Sequence, residues 1–375
     1  MNKPPESILI VCIRLIGDVI LMTPLIDLLK ATYPEAAIDI LVGKGTGEFL
    51  EKDPRVRRVL YSAKGGEGYS RGIFRRYDLA VNMNASDRGN SAVLFAGRRQ
   101  RVGFYLGKSF WKDIWKKVFF THPLEFPEDI PVARYCELVA HALGITAKRL
   151  TVEVFWDEAD EAQVSAILTS NNCTTPFFVV HPFARWVYKY WKFDRFAAVS
   201  DGIATRYGFQ PVWTSSPASE EKMLLKKAAD LCSVRPVLID GGLTLNQMTC
   251  LLSQASFYLG LDTAVTHLAA STGIPMVALY GPTFTSRWFP WHNEGDPGQV
   301  CPEARGMLHR GNIVVLQTDQ ECVPCGKAGC DDSGESESPC LAAIGIDEVM
   351  AAAGLLLKDA AGGAVSAIEE KIKHD

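Results

Sequence analysis

Residues 259–283 have the pattern of one βαβ unit, and this stretch constrains the fold more than any other in the chain. An apolar run over residues 256–261 predicts a buried strand, and a second run over residues 276–280 predicts its neighbour. Residues 264–272 between them have a helical pattern, and Gly273 stands where a left-handed residue commonly ends a helix. Because strands joined through a helix run parallel, the pattern predicts a parallel α/β sheet.

Asp262 and Thr263 join the first strand of this unit to its helix, and both are good helix N-cap residues. The carboxyl ends of strands in open α/β sheets are where ligands bind, and a helix N-terminus there favours phosphate. His267 follows about one helical turn later, so its ring can face the same site. A purely structural role, with two capping residues and a packed histidine, is the alternative that this pattern leaves open.

The rest of the chain alternates between strand and helix patterns with short links, which predicts a doubly wound α/β architecture. At 375 residues the chain is long for a single core, and two similar halves are expected. The predicted domains are residues 1–172, residues 176–346 and a helical tail at 347–375. The predicted strands of the first half are residues 7–13, 37–42, 56–61, 78–83 and 101–104, with another at 151–155.

Composition and missing motifs narrow the class of protein. Hydrophobic residues make up 47% of the chain and charged residues 22%, which is typical of a globular protein. No apolar run approaches the ~20 residues of a membrane span, and Arg14 and Asp18 interrupt the N-terminal apolar stretch that a signal peptide would need. We therefore expect a cytoplasmic protein. The glycine patterns of dinucleotide-binding and P-loop proteins are absent, which disfavours both classes.

Two loops could carry chemistry together with the Asp262 junction. The first strand leads into Arg14, Gly17 and Asp18 through a predicted glycine turn, and a later aromatic loop contains Lys189 and Lys192. If the two halves face each other, one carboxylate lies opposite a lysine-rich loop and a helix N-terminus. That arrangement suits an inverting group transfer, in which a carboxylate accepts a proton and cations stabilise a departing diphosphate. We predict no metal and no cofactor, since either lysine can supply the positive charge.

A basic segment implies an anionic partner. Residues 55–117 contain fifteen Lys and Arg but four Asp and Glu, although the formal net charge of the chain is −4. A basic face that is merely solvated is the alternative. Within this segment, residues 110–120 place Trp111, Trp115, Val118 and Phe119 on one face of a predicted helix. Its open roles are contact with a membrane surface, a lid over the acceptor and ordinary packing, of which we favour the last two.

Four of the ten cysteines crowd together in the second half. Cys322, Cys325, Cys330 and Cys340 have thiolates dense enough for structural zinc. Redox pairing and plain packing are the alternatives, and we assign the cluster no catalytic role.

Three blocks resemble the signature blocks of glycosyltransferase family 9, the bacterial ADP-heptose:lipopolysaccharide heptosyltransferases. In order along the chain they are IRLIGDVILMTPLIDLLKATYPEAAIDILVG, HPFARWVYKYWKFDRFA and GLDTAVTHLAASTGIPMVALYGPT, and the similarity covers about residues 7–345. The resemblance implies a GT-B fold of two Rossmann-like domains, with the acceptor bound by the first and the nucleotide-sugar by the second. It also implies inverting transfer of heptose from ADP-heptose to the lipopolysaccharide inner core, and tail helices that cross back onto the first domain.

The resemblance implies roles for individual residues as well. Asp18 would be the general base, and Lys189 would pair with the phosphates of the nucleotide-sugar. The family's glycine after Asp-Thr is Ala264 here, so the backbone would approach phosphate less closely. Glu220 is the nearest substitute for the family's ribose-binding acid. The candidate substrate-binding residues are Gly17, Arg14, Lys192, Glu220, Asp262, Thr263, Ala264 and His267.

The expected acceptor is an anionic, lipid-linked oligosaccharide, not nucleic acid. Its carboxylates and phosphates suit arginine side chains, and contact with the inner face of the inner membrane would follow. The candidates are Arg71, Arg75, Arg76, Arg98, Arg99 and Arg101. The rival functions are a related transferase with another nucleotide-sugar or surface-glycan acceptor, a nucleotide-sugar binder without turnover, and an epimerase of the same fold.

Overall fold

The computed structural model describes residues 3–62, 70–173, 176–295 and 305–357. These residues group into two compact units, unit 1 up to Asp157 and unit 2 from Glu158 onward. The helix that follows Asp157, predicted in the first domain, thus groups with unit 2. The predicted second tail helix, residues 365–373, lies outside the described residues.

Unit 1 contains a parallel sheet flanked by helices. Its strands are β1 (Ser7–Cys12), β2 (Ala37–Gly43), β3 (Val56–Ser62), β4 (Tyr77–Asn82), β5 (Gly97–Tyr105) and β6 (His122–Glu125). Its helices are α1 (Ile16–Leu21), α2 (Thr23–Thr32), α3 (Ser70–Ile73), α4 (Asp87–Ala96), α5 (Phe110–Phe119) and α6 (Tyr135–Ala142), with 3₁₀ turns at Glu48–Lys52 and Val132–Arg134. The strand order is β3-β2-β1-β4-β5-β6, and every neighbouring pair is parallel.

The centre of this sheet is the point where the strand order reverses. The apolar run of β1 is buried from Ile8 to Val11, as a central parallel strand requires when helices cover both faces. The chain passes from β1 to β2 on one side, and β4 lies on the other side. The carboxyl ends of β1 and β4 therefore flank the switch point, which is the ligand-binding position of such sheets.

Three details of unit 1 differ from the prediction. The helical pattern of residues 19–31 predicts one helix, but the structure has two helices that meet at Met22. Pro24 in the first turn of α2 lacks the N–H that a continuous helix would use. Residues 151–155 are not a strand. The sixth strand is instead β6, whose short, partly exposed sequence HPLE gave no strand signal.

Unit 2 contains a seven-stranded sheet. Its strands are β7 (Phe177–His181), β8 (Gln210–Ser215), β9 (Val237–Asp240), β10 (Phe257–Leu261), β11 (Met276–Leu279), β12 (Gly306–Arg310) and β13 (Ile313–Gln317). Its helices are α7 (Glu158–Ser170), α8 (Phe193–Tyr207), α9 (Ser219–Ala229), α10 (Leu245–Gln254), α11 (Ala264–Thr272), α12 (Thr285–Trp288) and α13 (Pro339–Ala342), with a 3₁₀ turn at Val187–Lys189. The order is β12-β13-β11-β10-β7-β8-β9, in which only β12 is antiparallel to its neighbour.

The core of unit 2 includes the first tail helix. Residues 346–357 are helical, and Val349, Ala352 and Ala353 lie in one buried cluster with Trp191 and Trp213. The indole N–H of Trp191 donates to the carbonyl of Ile344 at 3.1 Å, which ties the start of the tail to the loop after β7. Within the described ranges, no helix is both long and apolar enough to cross a membrane.

Candidate functional site

The junction of β10 and α11 has the geometry that the sequence predicts. Thr263 is the N-cap of α11 in an extended conformation, and its hydroxyl accepts a hydrogen bond from the N–H of Val265 at 3.1 Å. The first N–H groups of a helix have no partner within it, so the backbone here presents donors and the positive end of the dipole. Gly273 ends the helix with φ +78°, in the left-handed region.

Asp262 at this junction holds a lysine from another loop. Its Oδ2 accepts hydrogen bonds from Lys189 Nζ at 2.5 Å and from Thr283 Oγ1 at 2.6 Å. Gln317 fixes the Thr283 loop in turn, because its amide donates to the carbonyls of Gly281 and Thr283 at 2.7 and 2.9 Å. Three segments that are distant in sequence thus converge on one carboxylate. No sequence pattern indicated Thr283, which follows β11, or Gln317, the last residue of β13, at the same sheet edge.

The ion pair determines the charge of Lys189. Burial disfavours the ammonium form, but the adjacent Asp262 carboxylate outweighs that effect and raises the pKa of Lys189. The Lys189 side chain is 22% exposed and that of Asp262 8%. Unit 2 therefore holds a cation in place beside a helix N-terminus.

His267 lies on the buried side of α11 and is 3% exposed. Burial lowers its pKa to about 4, against a smaller opposing effect of Asp262. The imidazole is therefore neutral at pH 7. Its ring centroid lies 6.3 Å from that of Trp288, and Nδ1 is buried without a hydrogen-bond partner among the described residues. In a neutral imidazole one ring nitrogen donates and the other accepts, so Nδ1 can take either role according to the tautomer.

The other candidates of unit 2 lie near this junction in sequence or stay at the surface. Ala264 is the first residue of α11. Lys192 is exposed at the N-cap position of α8, and Glu220 is exposed in the first turn of α9. Its neighbour Glu221, which sequence reasoning passed over, accepts a hydrogen bond from the N–H of Ser216 at 2.8 Å. Glu221 is the third residue of α9, and its carboxylate reaches past the N-cap residue Ala218 instead of closing a capping box.

Asp18 is the central residue of the candidate site in unit 1. It lies in the first turn of α1, close after β1, and its side chain is 15% exposed. Arg14 Nε lies 3.5 Å from Asp18 Oδ1. Burial raises the pKa of Asp18, and the Arg14 guanidinium and local backbone hydrogen bonds offset part of that effect. Gly17 is helical, so the expected glycine turn is wrong, and the chain instead turns at residues 13–15.

A buried amide network follows β4 at the same sheet edge. Asn82 Nδ2 donates to Asn90 Oδ1 at 2.9 Å, and Asn84 Oδ1 accepts from the N–H of Ser86 at 2.9 Å. Gly89 allows this packing, because a Cβ there would overlap the Asn82 amide. No sequence pattern predicts this network, since isolated asparagines after a strand are also typical of a turn.

Ion pairs neutralise much of the basic segment. Arg57 and Arg58 both bind Asp39, and Arg98 and Arg99 both approach Asp78. Two of the six candidate acceptor arginines are therefore engaged within unit 1. Among the others, Arg75 and Arg76 are exposed, and Arg101 Nε is buried with no hydrogen-bond partner among the residues that the structure describes. The side chain of Arg71 lies outside the described residues.

The four crowded cysteines are free thiols. Cys322, Cys325 and Cys330 are exposed and Cys340 is buried. Burial raises the pKa of Cys340, a backbone hydrogen bond from Leu341 offsets part of that effect, and the charges of the three neighbouring thiols add to it, so the four lie near one another. Across the described ranges, no three His, Cys, Asp or Glu side chains are grouped as a metal site would require. The zinc hypothesis stays a prediction.

Comparison with known proteins connects these features. The chain is 27% identical over 298 residues to lipopolysaccharide heptosyltransferase 3 of Escherichia coli, which covers 75% of this chain and 85% of that protein. A family 9 glycosyltransferase of Veillonella parvula superposes with a TM-score of 0.74 at 18% identity, over 94% of this chain and 97% of that one. The E. coli ADP-heptose lipopolysaccharide heptosyltransferase II superposes with a TM-score of 0.69 at 20% identity, over 94% and 99%.

These structures confirm the predicted GT-B fold with two Rossmann-like units. Residues 71–297 match the sequence profile of glycosyltransferase family 9 (heptosyltransferase), which is more than half of the chain. The chain is therefore a glycosyltransferase and a member of family 9.

Proposed function

We propose that this enzyme transfers heptose from ADP-heptose to the inner core of lipopolysaccharide, with inversion at the anomeric carbon and without a metal. One observation supports this most: the Asp262 carboxylate holds the Lys189 ammonium at 2.5 Å beside the N-terminus of α11. A fixed cation and a helix N-terminus together suit a nucleotide diphosphate leaving group. The similarity to E. coli heptosyltransferases favours ADP-heptose as its source.

The donor diphosphate is proposed to bind in residues 176–346. The backbone N–H groups of Thr263 and Ala264 donate to phosphate oxygens, and Lys189 neutralises the charge that develops as the anomeric carbon–oxygen bond breaks. The neutral imidazole of His267 offers one hydrogen bond to the sugar or diphosphate. Lys192 adds a second cation at the surface, and Glu220 accepts from the ribose hydroxyls.

The acceptor is proposed to bind in residues 1–172, where Asp18 acts as general base. An acceptor hydroxyl attacks the anomeric carbon, its proton passes to the Asp18 carboxylate, and ADP leaves from the opposite face. The raised pKa of Asp18 makes it a better base than an exposed aspartate. Arg14 and Gly17 contribute to the same acceptor site, next to its anionic sugars. Because the acceptor is lipid-linked, we infer that the enzyme works at the inner face of the inner membrane.

The test is ADP release from ADP-heptose in the presence of a deacylated, water-soluble core acceptor. Asp18→Asn should lower kcat by about 10²–10⁴-fold, the usual contribution of a general base, with its affinity for ADP unchanged. Asp27→Asn is the matched control, since Asp27 lies on α2 and is about half exposed.

The outcomes separate the rival functions. Turnover of a uridine or guanosine sugar in place of ADP-heptose would retain a glycosyltransferase and replace the donor. Binding of ADP-heptose without turnover by wild type would favour a non-catalytic binder, and interconversion of the free donor would favour an epimerase. A chain that binds no nucleotide-sugar would reject the proposal.

A further inference from the structure

Helix α5 of unit 1 buries two charged residues and exposes most of its large apolar residues. Trp115, which was expected on the apolar face, instead packs against the core. Asp113 and Lys116 are buried, whereas Trp111 is 82% exposed and Val118 65%. A helix that covers a sheet normally has the opposite arrangement, with its apolar stripe toward the core. Packing among the described residues therefore leaves this apolar face uncovered.

The inward charges hold this orientation. Lys116 Nζ lies 2.8 Å from Asp87 Oδ1 at the start of α4 and 3.5 Å from Asp113 Oδ1. Asp113 Oδ2 also accepts a hydrogen bond from the N–H of Gly107 at 2.9 Å, in the loop that precedes the helix. These contacts hold the charged side of α5 against α4 and against the loop that precedes α5. The apolar face lies on the opposite side of the helix and therefore points away from α4 and from that loop.

The outward face has an apolar centre with basic flanks. At 3.6 residues per turn, Trp111 and Val118 lie almost in line along the helix, and the exposed Lys112 and Lys117 lie about 100° to either side of that line. Residues 105–120 contain one acid, Asp113, and it is buried. Lysine stems of this kind can cover apolar surface while the ammonium reaches an aqueous or anionic layer.

Neighbouring helices extend the aromatic surface. Phe74, just after α3, and Phe95 on α4 are exposed, and their rings stack with centroids 4.7 Å apart. Helices α3, α4 and α5 contribute to the same core cluster on one side of the sheet, through Ile73, Val93 and Trp115. The outer side of this helical layer therefore carries exposed aromatic residues on all three segments.

We propose that the outer face of α5 docks on the surface of an anionic lipid bilayer. The docking face consists of Phe110, Trp111, Lys112, Lys117, Val118 and Phe119. An apolar centre with basic flanks fits acyl chains bordered by anionic headgroups, while an acidic protein partner would leave the wide aromatic centre unmatched. The choice of a bilayer rests in part on the proposed function, in which the acceptor is lipid-linked.

Flotation of the full-length protein with vesicles tests the proposal. Vesicles of phosphatidylglycerol and phosphatidylcholine in equal parts should bind the wild type, and phosphatidylcholine alone should bind it at least ten-fold less. Trp111→Ser and the pair Lys112→Glu with Lys117→Glu should each lower binding to the anionic vesicles by about ten-fold or more. Leu231→Ser is the matched control, because Leu231 is an exposed apolar residue of unit 2.

Turnover of the deacylated acceptor separates this proposal from the proposed function. Trp111→Ser should leave that turnover unchanged and slow the transfer to an acceptor embedded in vesicles. Vesicle binding that is weak, equal for both lipid compositions or unaffected by both α5 variants would overturn the docking face. A loss of soluble-acceptor turnover in Trp111→Ser would also overturn it, because that result indicates a lid. A wild-type dimer that dissociates in Trp111→Ser would overturn it as well, because that result indicates that a second copy covers the face. Docking without any ADP-heptose turnover would reject only the function.

Discussion

The ion pair between Lys189 and Asp262 can be tested by a double-mutant cycle. Asp262→Asn retains an acceptor for the Thr283 hydroxyl but removes the charge that faces Lys189, and Lys189→Met removes the cation while keeping most of the aliphatic stem. Exposed ion pairs contribute about 0–1 kcal/mol, and breaking a fully buried pair costs about 3–5 kcal/mol. With Lys189 22% and Asp262 8% exposed, we expect a coupling free energy of about 2 kcal/mol.

The assay is urea denaturation followed by tryptophan fluorescence and by circular dichroism, since coincident transitions are needed for a two-state free energy of unfolding. Lys192→Met combined with Asp262→Asn is the matched control, because Lys192 is an exposed lysine three residues away. That cycle should give a coupling near zero. Equal coupling for the two lysines, or less than about 0.5 kcal/mol for Lys189, would refute the claim that Asp262 holds this lysine specifically.

The pH dependence follows from the raised pKa of Lys189. The folded state binds this proton more tightly than the unfolded chain, so its stabilising effect is fully present below the ordinary value of 10.5. It is lost as the pH rises through the higher folded-state value. The difference in unfolding free energy between wild type and Lys189→Met should therefore be constant near neutral pH and shrink above 10.5.

Three further predictions concern single residues. Arg14→Gln should raise the pKa of Asp18 further, because it removes the cation that offsets the effect of burial. The acidic limb of the pH profile of kcat/KM should then move to higher pH. A shift of that limb to lower pH would contradict this prediction. The activity of wild type itself should rise with pH as Asp18 loses its proton, and Asp18→Asn should lack that limb in its residual rate. Gly273→Ala should lower the free energy of unfolding by about 1 kcal/mol, the cost of a left-handed non-glycine residue, since nothing lies within 4 Å of the added Cβ. A loss above about 3 kcal/mol in urea denaturation would show that contacts, not φ, limit this position.

The regular elements of the fold could be predicted because each has a strong local signal. The helix Ala264–Thr272 was predicted with the bounds observed, since its helical pattern ends at a glycine. The misses lacked such a signal. The strand β6 depends on pairing with β5 in space, and a four-residue sequence does not encode a distant partner.

The candidate site could be predicted only in part. Caps and strand ends are local properties, so the Asp262 junction was found from the sequence. The preference for Lys189 over Lys192 came from the resemblance, and only three-dimensional packing shows that one of them meets the Asp262 carboxylate. Thr283 and Gln317 act through segments 21 and 34 residues apart from their partners along the chain, which no local pattern reports.

The basic segment shows why a count of charges does not identify a binding surface. Asp39 alone binds two arginines, and two more lie close to Asp78. The charges of these four arginines are therefore balanced by carboxylates within unit 1. Lys116 is buried and forms ion pairs with Asp87 and Asp113. The cations that remain exposed include Arg75 and Arg76, which follow Phe74 in the chain, and the two lysines that flank Trp111. An arginine that is already paired with a carboxylate gains little free energy from a second anion, whereas an exposed cation gains more. The binding of anionic ligands should therefore depend on these exposed side chains. Arg98→Ala should therefore affect stability more than acceptor binding, and Arg76→Ala the reverse, as KM for the deacylated acceptor measures.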